Sequence, residues 1–299
     1  MATRFDGIPH VNHIDNAVYE SVEYAFSFRY RKRVPGSLRD ALRGDSLVLC
    51  LALMHSRTPD VPAIAAAAGY DAVYVDLEHT STSLETAAML CASAIGAGIS
   101  ALVRVPSQEP SLIARVLDSG AAGIIVPHVN TAPEARDVVN AARFPPAGHR
   151  SISGPNALSG FAARSATELT EVLEARTVVA VMVETTEAVG NADAIASVEG
   201  VDMVLIGPSD LTAEMGIHGL YENERFRNAV DSVAAACRTH GVALGVAGIK
   251  SLDLLKRFVG LGLRFISAGT DVGMMTEAAT ARAQALRGLD GPATTSPDL

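Results

Sequence analysis

Glu184 directly follows the apolar run Val178–Val183, and Asp210 stands four residues past the run Met203–Ile206. If those runs are neighbouring strands, the two carboxylates converge at one end of a sheet. A carboxylate pair with water and a chelating substrate suits a hard or borderline dication such as Mg²⁺, Mn²⁺ or Co²⁺. Each carboxylate alone has an ordinary alternative as a helix cap or first-turn charge. The chain has no HExxH and no Cys/His cluster, so a closed zinc site is not expected.

A second group lies upstream. Asp76 and His79 are three residues apart after the run Ala72–Val75. At a strand end an Asp can orient an imidazole and raise its basicity, which gives a general base near neutral pH. A purely structural histidine is the competing interpretation. Arg104 ends the run Ser100–Val103; its planar fork suits a carboxylate or an enolate oxygen, and equally an ion pair with Glu78 or Asp76. His128 and Asp271 occupy comparable strand-end positions and are expected to line the same mouth. A Schiff-base mechanism needs a desolvated lysine inside a strand. The only lysines are Lys32, Lys250 and Lys256, and none lies in a strand-like run.

The elements that must carry these residues alternate. Eight short apolar runs occur: Leu47–Leu53, Ala72–Val75, Ser100–Val103, Gly123–Val126, Val178–Val183, Met203–Ile206, Val242–Val246 and Arg264–Ser267. Amphipathic stretches separate most of them; Leu84, Ala87, Ala88, Cys91, Ala94 and Ile95 share one helical face, as do Phe226, Ala229, Val230, Val233 and Cys237. Strands alternating with helices imply a parallel sheet. Eight units within about 240 residues imply closure into a (β/α)8 TIM barrel. In such a barrel chemistry gathers where strands end, which is where the carboxylates, the histidines and Arg104 named above fall. A doubly wound fold is disfavoured because Met54-His55-Ser56-Arg57 replaces a Gly-rich fingerprint after the first run.

The expected organisation is an N-terminal extension over residues 1–40, a catalytic barrel over 41–290 and a frayed tail over 291–299. The segment from Phe144 to Arg176 is rich in Gly and Pro, and a functional loop is expected there. A net charge of -9 argues against nucleic acid or an anionic membrane as partner. No apolar run approaches the roughly 20 residues that span a bilayer. The opening residues lack the order of a secretory signal, and Cys50, Cys91 and Cys237 show no CxxC spacing. A cytoplasmic protein with buried, reduced cysteines is expected. The basic run Arg29–Arg33 is expected to be a solvated or subunit-contacting arm.

Four stretches, Val75-Asp76-Leu-Glu78-His79, Val103-Arg104-Val105, Val183-Glu184-Thr185 and Ile206-Gly-Pro-Ser-Asp210-Leu211, resemble in order and spacing the signatures of the HpcH/HpaI aldolase family. That family includes class II pyruvate aldolases, dehydrodeoxyglucarate aldolases and macrophomate synthase. The resemblance runs from about Leu38 to Arg287 and takes in Phe144-Pro-Pro-Ala-Gly-His-Arg150. One departure is Met182, where the aldolases commonly carry Gln.

The resemblance implies that Glu184 and Asp210 bind the metal and that the amides of Ser209 and Asp210 bind a 2-oxoacid carboxylate. It implies that Arg104 steadies the keto oxygen as it becomes an enolate. His79, oriented by Asp76, then acts as base through a water on the metal. It also implies a homo-oligomer, a trimer of dimers, with the helix Asp271–Arg287 exchanged between neighbours. The expected activity is metal-dependent C–C lysis through a pyruvate enolate: cleavage of a 4-hydroxy-2-oxoacid, or addition of pyruvate to an aldehyde. The alternatives are decarboxylation of oxaloacetate to the same enolate, which then attacks an acceptor, and a barrel that serves only as a binding subunit.

Overall fold

The computed structural model describes residues 37–289; the expectations for the basic arm, most of the N-terminal extension and the tail lie outside them. Eight parallel strands close in sequence order, β1 pairing β2 and so on to β8, which returns to β1. They are β1 (Val48–Leu53), β2 (Ala72–Asp76), β3 (Ser100–Arg104), β4 (Gly123–Val126), β5 (Val178–Val183), β6 (Met203–Ile206), β7 (Ala243–Ala247) and β8 (Leu263–Thr270). The expected (β/α)8 barrel is what the chain forms. Strand eight runs three residues further than expected, because its end re-pairs with β1 after a register shift and sets Ala52 opposite Thr270.

The helices are α1 (Leu38–Arg43), α2 (Asp60–Ala67), α3 (Leu84–Gly96), α4 (Pro110–Asp118), α5 (Ala132–Ala142), α6 (Ala166–Arg176), α7 (Thr186–Gly190) and α8 (Ala192–Ala196). They continue with α9 (Pro208–Glu214), α10 (Glu224–His240), α11 (Leu252–Gly260) and α12 (Asp271–Arg287). Their starts follow local chemistry. Ser37 with Asp40, Thr131 with Glu134 and Ser165 with Glu168 form capping boxes, satisfying amides that a helix N-terminus leaves unpaired. α10 ends at Gly241 with φ of 67°, a conformation open to glycine at little cost.

Two apolar layers result. The outer one joins strand faces to helices, with Val73, Val103, Ile124, Val181 and Val204 meeting Leu90, Ile113, Val138 and Val233. The inner one fills the barrel with Cys50, Ala52, Tyr74, Leu102, Ile125, Ala180, Met182, Met203, Leu205 and Phe265. Leu38, Ala41 and Leu42 of α1 join this inner set, so α1, which starts inside the stretch assigned to the extension, belongs to the barrel. Side chains alternate across a strand with period two. The inward sets Ala72–Tyr74–Asp76, Leu102–Arg104 and Ala180–Met182–Glu184 therefore lead from apolar filling to ionisable groups at the C-terminal mouth.

The Gly/Pro-rich segment after α5 departs from expectation. It connects a helix to the beginning of β5, which puts it at the N-terminal end of the barrel, away from that mouth. Its residues pack: Phe144 and Leu158 form a small core with Ala122, Leu169 and Leu173. The Arg150 guanidinium lies 4.6 Å from the centre of the Phe144 ring and bonds Asp118 at 2.8 Å. Nearby, the fully buried Arg143 donates to Asp202, Glu174 and the carbonyls of Thr177 and Gly200. Asp202 also accepts from Arg39 at 2.7 Å and from the Val179 amide at 2.9 Å. Asp202→Ala takes one of two carboxylates from a buried guanidinium and also unpairs Arg39 and the Val179 amide, and we expect it to remove about 3–5 kcal/mol of stability. Urea unfolding read as a midpoint shift checks this, and an unchanged midpoint would show that the network is dispensable.

Candidate active site

At the C-terminal mouth lies a cavity of about 340 Å³. Its lining includes Met54, Tyr74, His79, Arg104, Met182, Glu184, Ser209, Asp210 and Thr270. Of the six residues given site roles from sequence, Asp76 sits behind this wall and the other five are on it; His128 and Asp271, expected to line the mouth, are not part of the cavity lining.

Asp76 is fully buried and opposes Arg104 in the β2–β3 register. Its Oδ1 accepts from Arg104 Nε at 2.7 Å and from the Glu78 amide at 3.1 Å; its Oδ2 accepts from the His79 amide at 3.2 Å. This corrects the expectation that Asp76 orients the His79 imidazole. An Asp at the head of a turn reaches the main-chain amides two and three residues on, so the spacing delivers the His79 backbone. The imidazole, 58% exposed, instead stands 3.5 Å from Glu78 Oε2.

Arg104 is held from two sides. Its Nη1 lies 3.0 Å from Glu78 Oε2, and its guanidinium carbon is 5.8 Å from the Tyr74 ring centre. Burial alone would lower its pKa, but the bond to Asp76 and the nearby negative charges raise it above the ordinary value, so the group stays cationic. Burial pushes the Tyr74 phenol up to about 12, so it stays protonated. Glu78 Oε2 has no aligned hydrogen bond despite being enclosed.

Glu184 is buried and reaches the mouth from the end of β5. Its Oε2 accepts from the His128 amide at 3.0 Å and lies 3.5 Å from His128 Nδ1. His128 was expected only to line the mouth, and the structure gives it more to do. Its φ is 53°, its Nε2 lies 3.5 Å from Glu78 Oε1, and its carbonyl accepts from Gln108 at 3.1 Å. Sequence offered one faint signal for this, since histidine is enriched among non-glycine residues at positive φ. Gly207 makes room for Glu184: a Cβ there would sit 2.4 Å from Glu184 Oε1.

Burial chiefly raises the pKa of Glu184, and the charges of Glu78 and Asp210 add to the rise against the opposing pull of His128. Asp210 itself is exposed in the first turn of α9. A cation suits this arrangement. It would offset the buried negative charge of Glu184, and two protein carboxylates leave positions open for water and substrate. Among the described residues no three ligating side chains form a closed cage.

The raised pKa fixes the sign of a stability effect. The unfolded carboxyl ionises first as pH rises, whereas the folded one resists, so ionisation of Glu184 opposes folding across the interval above its unfolded value. In chelator, Glu184→Gln should therefore gain thermal stability on wild type as pH rises above the ordinary carboxylate range, with the His128 amide still able to donate to the amide oxygen. A wild-type advantage that grows with pH would refute this.

Comparison with known proteins places this site in a lineage. The HpcH/HpaI aldolase/citrate lyase model matches residues 51–278. The chain is 40% identical over 221 residues to the 4-hydroxy-4-methyl-2-oxoglutarate aldolase of Hapsidospora irregularis, covering 73% of this chain and 82% of that one. It is 38% identical over 236 residues to an aldolase of the same name from Chaetomium globosum, covering 78% and 88%. The crystal structure of an HpcH/HpaI aldolase from Desulfitobacterium hafniense matches with a TM-score of 0.79 at 28% identity, covering 88% of this chain and 100% of that one. With the match extending from β1 into α12 and including every ionisable residue described at the mouth, this protein belongs to the HpcH/HpaI aldolase/citrate lyase family.

Proposed function

We propose that the protein is a class II aldolase that makes and breaks the C3–C4 bond of 4-hydroxy-2-oxoacids through a pyruvate enolate. Glu184 and Asp210 are the residues that would hold the divalent cation, Mg²⁺, Mn²⁺ or Co²⁺. The observation carrying this is the convergence of Glu184, Asp210, Arg104 and His79 on one cavity at the mouth of a barrel of this family. The two relatives named for a 4-hydroxy-2-oxoacid support the substrate class.

In the cleavage direction, His79 accepts the C4 hydroxyl proton. The C3–C4 bond breaks, a carbonyl compound leaves, and the electron pair passes into the C2–C3 enolate; protonation at C3 then yields pyruvate. Arg104, kept charged and aimed by Asp76, faces the C2 oxygen where negative charge develops, and such preorganised stabilisation is usually the largest contribution. The Ser209 and Asp210 amides sit in the first turn of α9, where helix N–H groups lack intrahelical partners, and they are suited to the substrate carboxylate. When bound, the cation supplies Lewis-acid polarisation of the same oxoacid.

Assembly as a homo-oligomer, with α12 packed on a neighbouring copy in a trimer of dimers, is supported by two features. α12 buries none of its residues, and α2 and α11 expose Ile64, Leu252 and Val259. Three buried free thiols, Cys50, Cys91 and Cys237, support a reducing, cytoplasmic setting. Among the described residues no helix is long and apolar enough to cross a membrane.

The test offers several 4-hydroxy-2-oxoacids and oxaloacetate, with and without divalent ions, and follows pyruvate. Expected are pyruvate plus an aldehyde or ketone, lost on chelation and restored by metal. Pyruvate with CO₂ from oxaloacetate alone would instead identify a decarboxylase. Glu184→Gln and Asp210→Asn should abolish both turnover and metal retention in a folded barrel. His79→Ala should lower kcat by about 10²–10⁴-fold; unaltered kcat with a reduced melting point would make His79 a packing residue. Lys250, with its side chain 91% exposed and 3.9 Å from Glu277, should form no borohydride-trapped adduct with pyruvate. A stable adduct of the expected mass would move the enzyme to the Schiff-base class.

A further inference from the structure

Asp271, the first residue of α12, does something no other carboxylate of the mouth does. Its Oδ1 accepts from the amides of Met54 at 3.0 Å and Val272 at 2.7 Å. Its Oδ2 accepts from the amides of His55 at 3.1 Å and Ser56 at 2.6 Å. Three of these four donors belong to the loop that leaves β1, more than two hundred residues earlier in the chain. Those amides lie past the end of the strand, beyond the paired register of β1, and without Asp271 they would need other partners.

The loop matters because it is a wall. Met54 lines the cavity beside Gly269 and Thr270. In the closed strand order β1 stands across the ring from β5, which carries Glu184. An oxoacid end held by Arg104, Glu184 and the first turn of α9 leaves the rest of the substrate to occupy the β8–β1 side. Arg57 adds only a long bond, 3.4 Å, to the Met54 carbonyl, so the Asp271 carboxylate is the main anchor of this stretch.

We propose that Asp271 is a positioning residue for specificity: by gathering the Met54, His55 and Ser56 amides it fixes the wall against which the carbonyl-acceptor half of the substrate packs. This rests on the aldolase function proposed above. It separates the two halves of the reaction. Enolising pyruvate engages only the oxoacid end, whereas cleaving or forming the C3–C4 bond also requires the acceptor to be held.

Two variants and two assays test it. Asp271→Asn keeps one acceptor oxygen and turns an NH2 group towards amides that themselves donate, and Asp271→Ala removes all four bonds. Exchange of pyruvate methyl protons with deuterated water, followed by NMR, reads the donor half; cleavage of 4-hydroxy-2-oxoacids of increasing acceptor bulk reads the whole. We expect pyruvate exchange within about twofold of wild type in Asp271→Asn. Cleavage should lose at least tenfold in kcat/KM, chiefly through KM, and discrimination by acceptor size should change. A proportional fall in both assays, or no change in either, overturns the proposal. Amide hydrogen exchange of residues 54–56 by mass spectrometry gives a readout independent of turnover. It should quicken in Asp271→Asn and further in Asp271→Ala, and unchanged protection overturns the clamp. A wild-type protein inert in both assays would overturn the aldolase function instead, while the amide-exchange comparison still decides the clamp.

Discussion

The buried carboxylate of Asp76 is the constraint from which the mouth of the barrel is built. A fully buried carboxylate is costly unless paired and hydrogen-bonded, and Asp76 is both. Its partners are parts of the proposed site: the Arg104 side chain on the next strand, and the two amides that curl the chain after β2. That curl places Glu78 against Arg104 and between two imidazoles, and His128 in turn meets Glu184. A single apolar replacement at Asp76 would take one of two carboxylates from the guanidinium and remove the acceptor of both turn amides together. The pair thus couples the β2 end to the β3 end before any ligand enters.

Charge is distributed around this constraint with a clear asymmetry. Acidic groups come from β2, β5 and the first turn of α9, while the cationic counterpart within the wall is Arg104. Met182 and Tyr74, one layer down, are apolar or held protonated, so they exclude water without adding charge. A site of this kind favours a bound cation and an anionic substrate arriving together, each lowering the cost of the other. The net charge of -9 is therefore no obstacle to the oxoacid substrate proposed above, because Arg104 and the α9 amides, with the proposed cation, would set the local field.

Much of this was legible in the sequence because it follows from period two. The eight apolar runs, their parallel order and the appearance of Asp76, Arg104 and Glu184 at strand ends all depend on local pattern. What pattern could not supply was which atoms would meet. The spacing of Asp76 and His79 suggested a side-chain pair, and turn geometry delivered a backbone bond. His128 and Asp271 read as bystanders, since the work of each rests on partners far away in the chain, Glu184 for one and Met54–Ser56 for the other. The Gly/Pro-rich segment misled for a related reason. Composition marks it as irregular, but only the strand direction decides which end of the barrel it occupies.

Gly207 carries a consequence for descent. With a Cβ only 2.4 Å from Glu184 Oε1, the positions at the ends of β5 and β6 are not free to drift independently. A chain that acquires even alanine after β6 must shorten or re-aim the acid after β5, so the two sites should covary among descendants of this barrel. Loss of the acid would lift the restriction on the glycine. A relative with a bulkier residue at that position can therefore be recognised, from one small substitution and without any change of charge, as a barrel whose carboxylate pair has been dismantled or rebuilt.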